Sequence, residues 1–184
     1  MIINKTSIPD LLIIQPNINN DDRGYFFESY KYSDFKSNNL PTSFLQQNQS
    51  KSKKGILRGL HYQLQYGQDK LVWVSQGEVM DVAVDIRKDS PTFGHYESLI
   101  LNDENHYRFY IPKGFAHGYY VLSEIAIFQY MCTEIYHSED EYGLIWDDPD
   151  VNINWPNGEK LVSDKDRKLP YLKQIETKKL PVYK

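Results

Sequence analysis

The chain has 184 residues, 40% of them hydrophobic and 14% aromatic, which suffices to bury one core, so we expect residues 1–184 to form a single domain. A formal net charge of -4 argues against binding to nucleic acid, which needs a basic surface to neutralise phosphates. The first residues lack the pattern of an export signal, and nowhere do about 18 apolar residues follow one another, so we expect a cytoplasmic protein without a membrane anchor.

Alternation of apolar and polar residues recurs along the chain and predicts many short strands. In chain order the predicted strands are 11–15, 71–76, 79–86, 96–101, 107–111, 118–122 and 125–133. The clearest is 79–86, for which we expect one apolar face. That face comprises Met80, Val82, Val84 and Ile86. The opposite face includes Asp81 and Asp85.

Helical signals are few and short. Residues 33–38 predict one short helix, and Ser163 is placed to cap a turn that begins at 164–166. Neither is long enough to define the fold, whereas many short strands fit two sheets folded over each other. We therefore predict an all-β jelly roll or sandwich with short peripheral helices. The charged tail from Lys168 to Lys184 is expected to pack loosely.

Cys132 is the only cysteine, which excludes an internal disulfide. It lies in the apolar run 125–132, so we expect a buried small hydrophobic residue rather than a nucleophile. The three lysines Lys51, Lys53 and Lys54 are interpreted as charges of an exposed loop.

Two segments, 55–63 and 111–118, are the most informative features of the sequence, because each places a histidine beside glycines and a cation. The first holds Arg58 and His61, and the second holds Lys113 and His117. A single histidine is more often structural than functional. Two imidazoles with two cations favour a site for an anionic substrate.

The glycines of these segments have proposed uses of their own. We interpret Gly59 and Gly118 as leaving room for a ligand near the backbone, and Gly114 as shaping a turn. Strict alternation would place Arg58 and His61 on opposite faces of a strand. A shared pocket therefore requires a bulge or a strand start between them.

Acid–base chemistry and metal binding are alternative uses of the histidines. His61 suits the role of a base, and Tyr130 is a candidate proton donor. Arg23, Arg58 and Lys70 could converge on a phosphate, although solvated surface charge is the simpler interpretation. Metal sites of jelly rolls often use His-x-His, a pattern that the sequence lacks, since Gln63 stands two residues after His61. We predict no metal.

Nine blocks in order resemble the dTDP-4-dehydrorhamnose 3,5-epimerase family, and the match runs nearly end to end. The blocks are 22–28, 46–50, 57–63, 81–87, 90–94, 111–118, 146–149, 155–156 and 163–166. The chain departs from the family pattern after Tyr130, where Met131 and Cys132 replace the commoner Lys-Thr. That change bears on the substrate range rather than on the chemistry.

The resemblance implies a cupin-type jelly roll that works without metal or organic cofactor, as a homodimer with exchanged N-terminal strands. Family members act on a dTDP-4-keto-6-deoxyhexose and invert C3 and C5, whose protons are acidic because each carbon adjoins the C4 carbonyl. Proton removal gives an enolate, and reprotonation from the opposite face inverts the centre. The product would be dTDP-4-keto-L-rhamnose, in dTDP-L-rhamnose biosynthesis for a surface polysaccharide such as lipopolysaccharide.

The resemblance also implies roles for particular residues. His61 is the base, Asp166 its carboxylate partner, Tyr130 the opposite-face donor and Lys70 the cation near the C4 oxygen. Tyr136 matches the aromatic that stacks on thymine. Substrate-binding roles are implied for Arg23, Glu28, Gln46, Asn48, Arg58, His117, Tyr136, Glu141 and Lys165.

Two other functions are compatible with these residues. A single-centre epimerase or a ketoisomerase on a related nucleotide sugar would use the same base and enolate. Tyr130 favours epimerisation, because a one-face isomerase has no use for an opposite-face donor. A non-catalytic nucleotide-sugar-binding jelly roll is less compatible, because such a protein usually loses the base or its partner.

Overall fold

The computed structural model describes residues 1–183 and consists mainly of short β-strands. The strands are β1 (Ile2–Lys5), β2 (Leu12–Gln15), β3 (Asn19–Asp21), β4 (Gly24–Phe26), β5 (Gln46–Lys53), β6 (Ile56–Gln63), β7 (Lys70–Gln76), β8 (Glu78–Asp85), β9 (Tyr96–Asn102), β10 (Arg108–Ile111), β11 (Phe115–Val121), β12 (Ile125–Cys132), β13 (Glu141–Gly143) and β14 (Leu161–Val162). The helices are α1 (Tyr32–Ser37) and the 3₁₀ turns Ser138–Asp140, Asp166–Lys168, Leu172–Gln174 and Thr177–Lys179. The predicted all-β class with short peripheral helices is confirmed.

The strands form two sheets and one separate hairpin. Sheet one has the order β1-β2-β10-β7-β12-β5. Sheet two has the order β13-β6-β11-β8-β9, and β14 pairs with β6 in parallel. The hairpin β3–β4 pairs with neither sheet. This crossed strand order is the cupin-type jelly roll that the resemblance implies.

The main hydrophobic core lies between the two sheets. Val72, Phe109 and Phe128 of sheet one pack there against residues of sheet two such as Phe115 and Val121. All five side chains are buried. Complete burial of one such side chain contributes about 1.5–3 kcal/mol, so this core fixes the separation of the sheets.

The central strand β8 is buried on both faces. The predicted apolar face, which includes Val82 and Val84, belongs to a second cluster that also contains Leu144. The opposite face turns towards sheet one, and its Asp81 and Asp85 are fully buried. Two buried carboxylates inside a core need polar partners, which both of them have.

The C-terminal tail packs closely, so the expectation of a loose tail is wrong. Leu172 is buried, and Ile175 and Leu180 pack against the outer face of sheet two. The Leu172 amide donates to a carboxylate oxygen of Asp148 at 2.6 Å. Apolar residues spaced among the lysines give the tail an apolar face that packs against sheet two. Lys184, the end of the predicted tail and domain, lies outside the described residues.

Strand β5 was missed by the sequence analysis, although it forms an edge of sheet one. Its inward positions carry Asn48, Ser50 and Ser52, so no apolar alternation marks it. Lys51 and Lys53 are exposed as predicted, but they lie on this strand rather than in a loop. Charged residues on an edge strand oppose edge-to-edge aggregation.

The short helical predictions are confirmed with small shifts. Helix α1 begins one residue before the predicted start, and Ser163 Oγ accepts the Asp166 amide at 3.1 Å. Cys132 is buried, as expected. Within residues 1–183, no helix is long and apolar enough to cross a membrane.

Candidate active site

A bulge in β6 brings the residues of the first motif to one side. His61 lies opposite His117 on β11, and Arg58 lies opposite Tyr119. The step from Arg58 to His61 is three residues on β6, whereas the matching step on β11 is two residues. Both Arg58 and His61 therefore line the same cleft. The predicted bulge between these two residues is confirmed, and Gly59 occupies it with a φ of 112°.

Gly59 and Gly118 serve the contact between strands; Gly118 also lines the cleft whereas Gly59 does not, so the interpretation as room for a ligand is wrong for Gly59. A Cβ on Gly59 would lie 2.7 Å from the His117 carbonyl oxygen. A Cβ on Gly118 would lie 2.4 Å from the Arg58 carbonyl oxygen. The facing backbone fills the space. Gly114 shapes its turn as predicted, with a φ of 98°.

A cleft of about 730 Å³ opens between the two sheets. This volume is in the range of small-molecule sites. Most of the residues predicted for the site line it, namely Gln46, Asn48, Arg58, His61, Lys70, His117, Tyr130, Tyr136, Glu141, Lys165 and Asp166.

Three residues with predicted site roles lie outside the cleft. Lys113 is exposed and does not line the cleft, so its expected contribution of a cation is wrong. Arg23 sits on the β3–β4 hairpin with its side chain 90% exposed and paired with Asp21. Glu28 follows the hairpin and pairs with Lys31. The predicted binding roles of Arg23 and Glu28 stay predictions.

His61 is held between two carboxylates. Its Nε2 is 2.7 Å from Asp166 Oδ1, and its Nδ1 is 3.7 Å from Glu141 Oε1. The ionised carboxylate of Asp166 can only accept, so Nε2 carries the proton and the Nδ1 lone pair is free. The arrangement can therefore accept a proton at Nδ1 and stabilise the resulting imidazolium.

Asp166 and Glu141 are both held in the ionised form. Burial acts to raise the pKa of the Asp166 carboxyl, but hydrogen bonds from His61, the Gly59 amide and Ser163 together lower it below its usual value. Burial also opposes ionisation of Glu141, and hydrogen bonds from Lys165 and Tyr136 outweigh it and lower that pKa.

Tyr130 lies on β12 of sheet one, in the wall opposite His61 on β6 of sheet two. Its hydroxyl makes no hydrogen bond with another side chain or backbone group among residues 1–183. Desolvation, and to a lesser extent the neighbouring Cys132 and Tyr119, raises the pKa of Tyr130 to about 12. The phenol thus stays protonated at neutral pH and can donate.

Lys70 begins β7 directly opposite Cys132 of β12. Desolvation lowers the pKa of its ammonium, although Cys132, Glu141 and Asp69 act in the other direction. The preceding residue Asp69 fixes this strand start, because its carboxylate accepts the Tyr110 hydroxyl and the Lys113 amide. Lys70 is consequently a positioned cation in a poorly solvated wall.

His117 forms a second imidazole–carboxylate pair beside His61. Its Nε2 is 2.9 Å from Asp81 Oδ2, and both residues are buried. Burial raises the pKa of Asp81, although His117 acts to lower it. Alternation predicts the strand face of Asp81 but not this contact; a carboxylate within a run of buried valines was the available signal. No group of three or more His, Cys, Asp or Glu within residues 1–183 could hold a metal ion.

The outer part of the cleft is built around Tyr136. Its hydroxyl donates to Glu141 at 2.7 Å, and its amide donates to Gln46 at 2.7 Å. Lys165 pairs with the same Glu141 carboxylate. The ring of Tyr136 remains 48% exposed, so one of its faces is open to a flat ligand.

The comparisons with known proteins agree with this geometry. The family model for dTDP-4-dehydrorhamnose 3,5-epimerase matches residues 5–174. The enzyme of that name from Escherichia coli strain K12 is 46% identical over 183 residues, which cover 98% of this chain and 99% of its own. That from Methanothermobacter thermautotrophicus is 48% identical over 166 residues, covering 89% and 90%.

Solved structures indicate the same family. A dTDP-6-deoxy-D-glucose-3,5-epimerase from Legionella pneumophila Philadelphia 1, in complex with dTDP-4-keto-L-rhamnose, superposes with a TM-score of 0.96 at 48% identity, covering 99% of this chain and 98% of that one. A 3'-monoepimerase from Streptomyces bikiniensis, in complex with dTDP-quinovose, superposes at 0.92 with 32% identity, covering 97% and 92%. The chain therefore belongs to the dTDP-4-dehydrorhamnose 3,5-epimerase family.

Proposed function

We propose that this enzyme converts dTDP-4-keto-6-deoxy-D-glucose to dTDP-4-keto-L-rhamnose by inverting C3 and C5. The observation that carries the proposal is the placement of His61 and Tyr130 in opposite walls of one cleft. A sugar ring held between the sheets would offer one face to a base and the other to an acid. Epimerisation by deprotonation requires this two-sided access.

His61 removes the proton. Its free Nδ1 lone pair takes a proton from C3 or C5, and the electrons of the broken C–H bond move towards the C4 carbonyl. Asp166 at 2.7 Å stabilises the imidazolium that forms, and Glu141 at 3.7 Å adds to this stabilisation. Such a hydrogen-bonded carboxylate also fixes the tautomer of the base.

Lys70 stabilises the enolate. Negative charge develops on the C4 oxygen as the C–H bond breaks, so a cation beside that oxygen lowers the barrier more than it stabilises the ketone. Desolvation by the cleft wall strengthens this interaction and makes the ammonium a stronger hydrogen-bond donor.

Tyr130 completes the inversion. Its phenol gives a proton to the same carbon from the face opposite His61, after which solvent returns a proton to the phenolate and takes one from the His61 imidazolium. The raised pKa, about 12, supports this role because the group is protonated in the resting enzyme. The family name and the ligand of the Legionella structure support inversion at two centres.

Nucleotide recognition follows from the outer cleft. We propose that Tyr136 stacks on thymine, that Arg58 binds the diphosphate, and that Lys165 adds positive charge near it. Gln46, Asn48 and His117 are then available for the sugar. No metal or organic cofactor takes part in this scheme, since the chain's own side chains supply every proton transfer.

Inversion at a single centre is the second candidate, because a 3'-monoepimerase shares the fold at a TM-score of 0.92. Proton NMR of dTDP-4-keto-6-deoxy-D-glucose in deuterated water with a chelator separates the two. Loss of both the C3 and the C5 signals, with an inverted product, supports the 3,5-epimerase. Loss of one signal supports the monoepimerase, and loss of neither contradicts both.

We further propose a homodimer in which the β3–β4 hairpin of one protomer reaches the cleft of its partner. Three observations support it. Tyr25 and Phe26 expose 57% and 68% of their surface on the hairpin. Arg23, which the resemblance implies for binding, points into solvent in its own protomer. The Nε of the buried Arg108 makes no hydrogen bond within residues 1–183, so a partner chain could supply its acceptor.

Complementation tests this arrangement. Arg23→Ala and His61→Ala are each expected to be inactive as separate proteins. Mixing them should restore partial activity, because a mixed dimer contains one site with both residues intact. Mixed variants that stay inactive, despite exchange of subunits shown by mass spectrometry, would contradict the exchanged dimer.

We propose that residues 1–184 act as one domain in the cytoplasm, where nucleotide sugars are made. The product would serve dTDP-L-rhamnose synthesis for a surface polysaccharide such as lipopolysaccharide. Fractionation of the producing cells, followed by activity assay of each fraction, checks the location.

A further inference from the structure

The hydroxyls of Ser50 and Tyr119 form a hydrogen bond of 2.7 Å that the mechanism above does not use. Ser50 lies on β5 of sheet one and Tyr119 on β11 of sheet two, so this bond crosses the interior from one sheet to the other. Both residues line the cleft. The Tyr119 ring is fixed by stacking on Phe128, with the ring centres 4.2 Å apart.

A count of protons shows that the pair is an incomplete network. Each hydroxyl carries one proton, and the bond between them uses only one of the two. No acceptor within residues 1–183 takes the other, because neither hydroxyl makes a second hydrogen bond there. One hydrogen bond is enough to link the two sheets and uses one hydroxyl proton, so the second hydroxyl proton is available to a ligand in the cleft.

The strand register places this free proton between two functional groups. Tyr119 lies opposite Arg58, the proposed diphosphate ligand. Ser50 lies opposite Phe128, two residues along β5 from Asn48, which faces Tyr130. Two residues of a strand span about 6.6 Å. The hydroxyl pair thus stands between the position proposed for the diphosphate and the position of the reacting carbons.

We propose that the Ser50–Tyr119 pair is a specificity-determining subsite that donates a hydrogen bond to an oxygen of the hexose. The inference rests on the proposed function, because that function places a hexose at this point. A neutral hydroxyl donor suits a neutral sugar oxygen, whereas the phosphates are matched by the Arg58 guanidinium. The pair selects for the sugar and is indifferent to the nucleotide.

The double variant Ser50→Ala/Tyr119→Phe tests the subsite. It removes both members of the hydrogen bond and leaves no unsatisfied partner, and Phe keeps the stacking on Phe128, so the fold should be retained. Tyr120→Phe is the matched control, because Tyr120 follows on the same strand but bonds to the Glu159 carbonyl outside the cleft. Calorimetric titrations use dTDP-D-glucose, which has no ketone and cannot react, and dTDP alone.

We expect the double variant to bind dTDP-D-glucose about 5- to 10-fold more weakly than the wild type, the loss typical of one hydrogen bond to a neutral group. Its affinity for dTDP should change less than about twofold, and Tyr120→Phe should bind both ligands like the wild type. An unchanged affinity for dTDP-D-glucose, or an equal loss for both ligands, would overturn the subsite.

The binding assay does not depend on turnover, so the two proposals fail separately. Suppose that the wild type shows no deuterium exchange and that the double variant selectively loses dTDP-D-glucose binding. This result would contradict the epimerase proposal and support the hexose subsite. Normal exchange combined with unchanged binding in the double variant would keep the epimerase and remove the subsite.

Discussion

His61 and His117 face each other on adjacent strands, and each hydrogen-bonds a carboxylate that is almost entirely buried. The two pairs differ in their electrostatics. The pKa of Asp166 is lowered by its hydrogen bonds, whereas burial raises the pKa of Asp81. The His61 pair therefore keeps a full negative charge beside the imidazole, which suits a base that must become protonated.

Replacing His61 by Asn removes the base and keeps a polar side chain of similar size. We expect deuterium exchange at C3 and C5 to fall by about two to four orders of magnitude, the usual contribution of general base catalysis. Binding of dTDP should be retained, because it uses the outer cleft. Exchange near the wild-type rate in His61→Asn would rule out His61 as the base.

Tyr130→Phe should separate proton removal from inversion. The base can still abstract a proton and return a deuteron to the same face, but the opposite-face donor is missing. We expect deuterium to enter the substrate while formation of inverted product falls about 100-fold or more. NMR follows both processes in one sample. Equal losses of exchange and inversion would show that Tyr130 acts before the enolate forms.

The two buried carboxylates should affect stability in different pH ranges. A carboxylate with a lowered pKa stabilises the fold above its ordinary pKa of 3.8, and this stability is lost as the pH falls. Asp166→Asn should therefore be less stable than the wild type above pH 3.8, and its stability should fall less in acid. A raised pKa has the opposite sign, so the wild type should lose stability relative to Asp81→Asn as the pH rises above 3.8.

Urea unfolding of the three proteins across this pH range measures both effects, with activity followed in parallel. The stability of Asp81→Asn relative to the wild type should improve with pH, and that of Asp166→Asn should not. Identical pH profiles for the two variants would mean that the two carboxylates have similar environments, contrary to their contacts.

Lys70 should determine the alkaline limit of activity. Its pKa is lowered from 10.5 by burial, whereas Tyr130 titrates only at about 12. We expect kcat to fall with a midpoint below 10.5, as the ammonium loses its proton. In Lys70→Arg the guanidinium stays charged, so kcat should be lower but should not show this fall. An unchanged alkaline midpoint in Lys70→Arg would assign the transition to another group.

Arg108 provides a test of the dimer that does not involve the cleft. Its guanidinium lies 4.4 Å from the Trp73 ring centre, and burial lowers its pKa to about 10. Arg108→Met removes an uncompensated buried charge and keeps apolar contact with Trp73. We expect a weaker dimer in analytical ultracentrifugation but an equally or more stable monomer. A dimer of unchanged affinity would contradict a partner acceptor at Arg108.

Much of the sandwich was predictable because its central strands carry apolar residues at alternate positions. Strand β5 escaped prediction because its inward residues Asn48, Ser50 and Ser52 face a polar cleft instead of the core. The polar residues that line the cleft thus replace the apolar alternation by which a strand is recognised. The same cause makes this edge of sheet one rich in candidate ligands.

The site was predictable where a residue type limits the chemistry, as for His61 and Tyr130. Lys113 was wrongly placed because closeness in sequence does not fix direction beyond a turn. Asp81 was missed because its partner His117 lies on another strand and the contact depends on register. Tyr119 was missed because nothing local separates it from the other tyrosines of the chain.

The proposed base and the proposed acid stand on different sheets, so the spacing of the two layers contributes to the gap between them. Phe128 and Phe115 help to set that spacing without any role in proton transfer. Sandwich thickness is thus a catalytic parameter, which evolution can adjust from within the core.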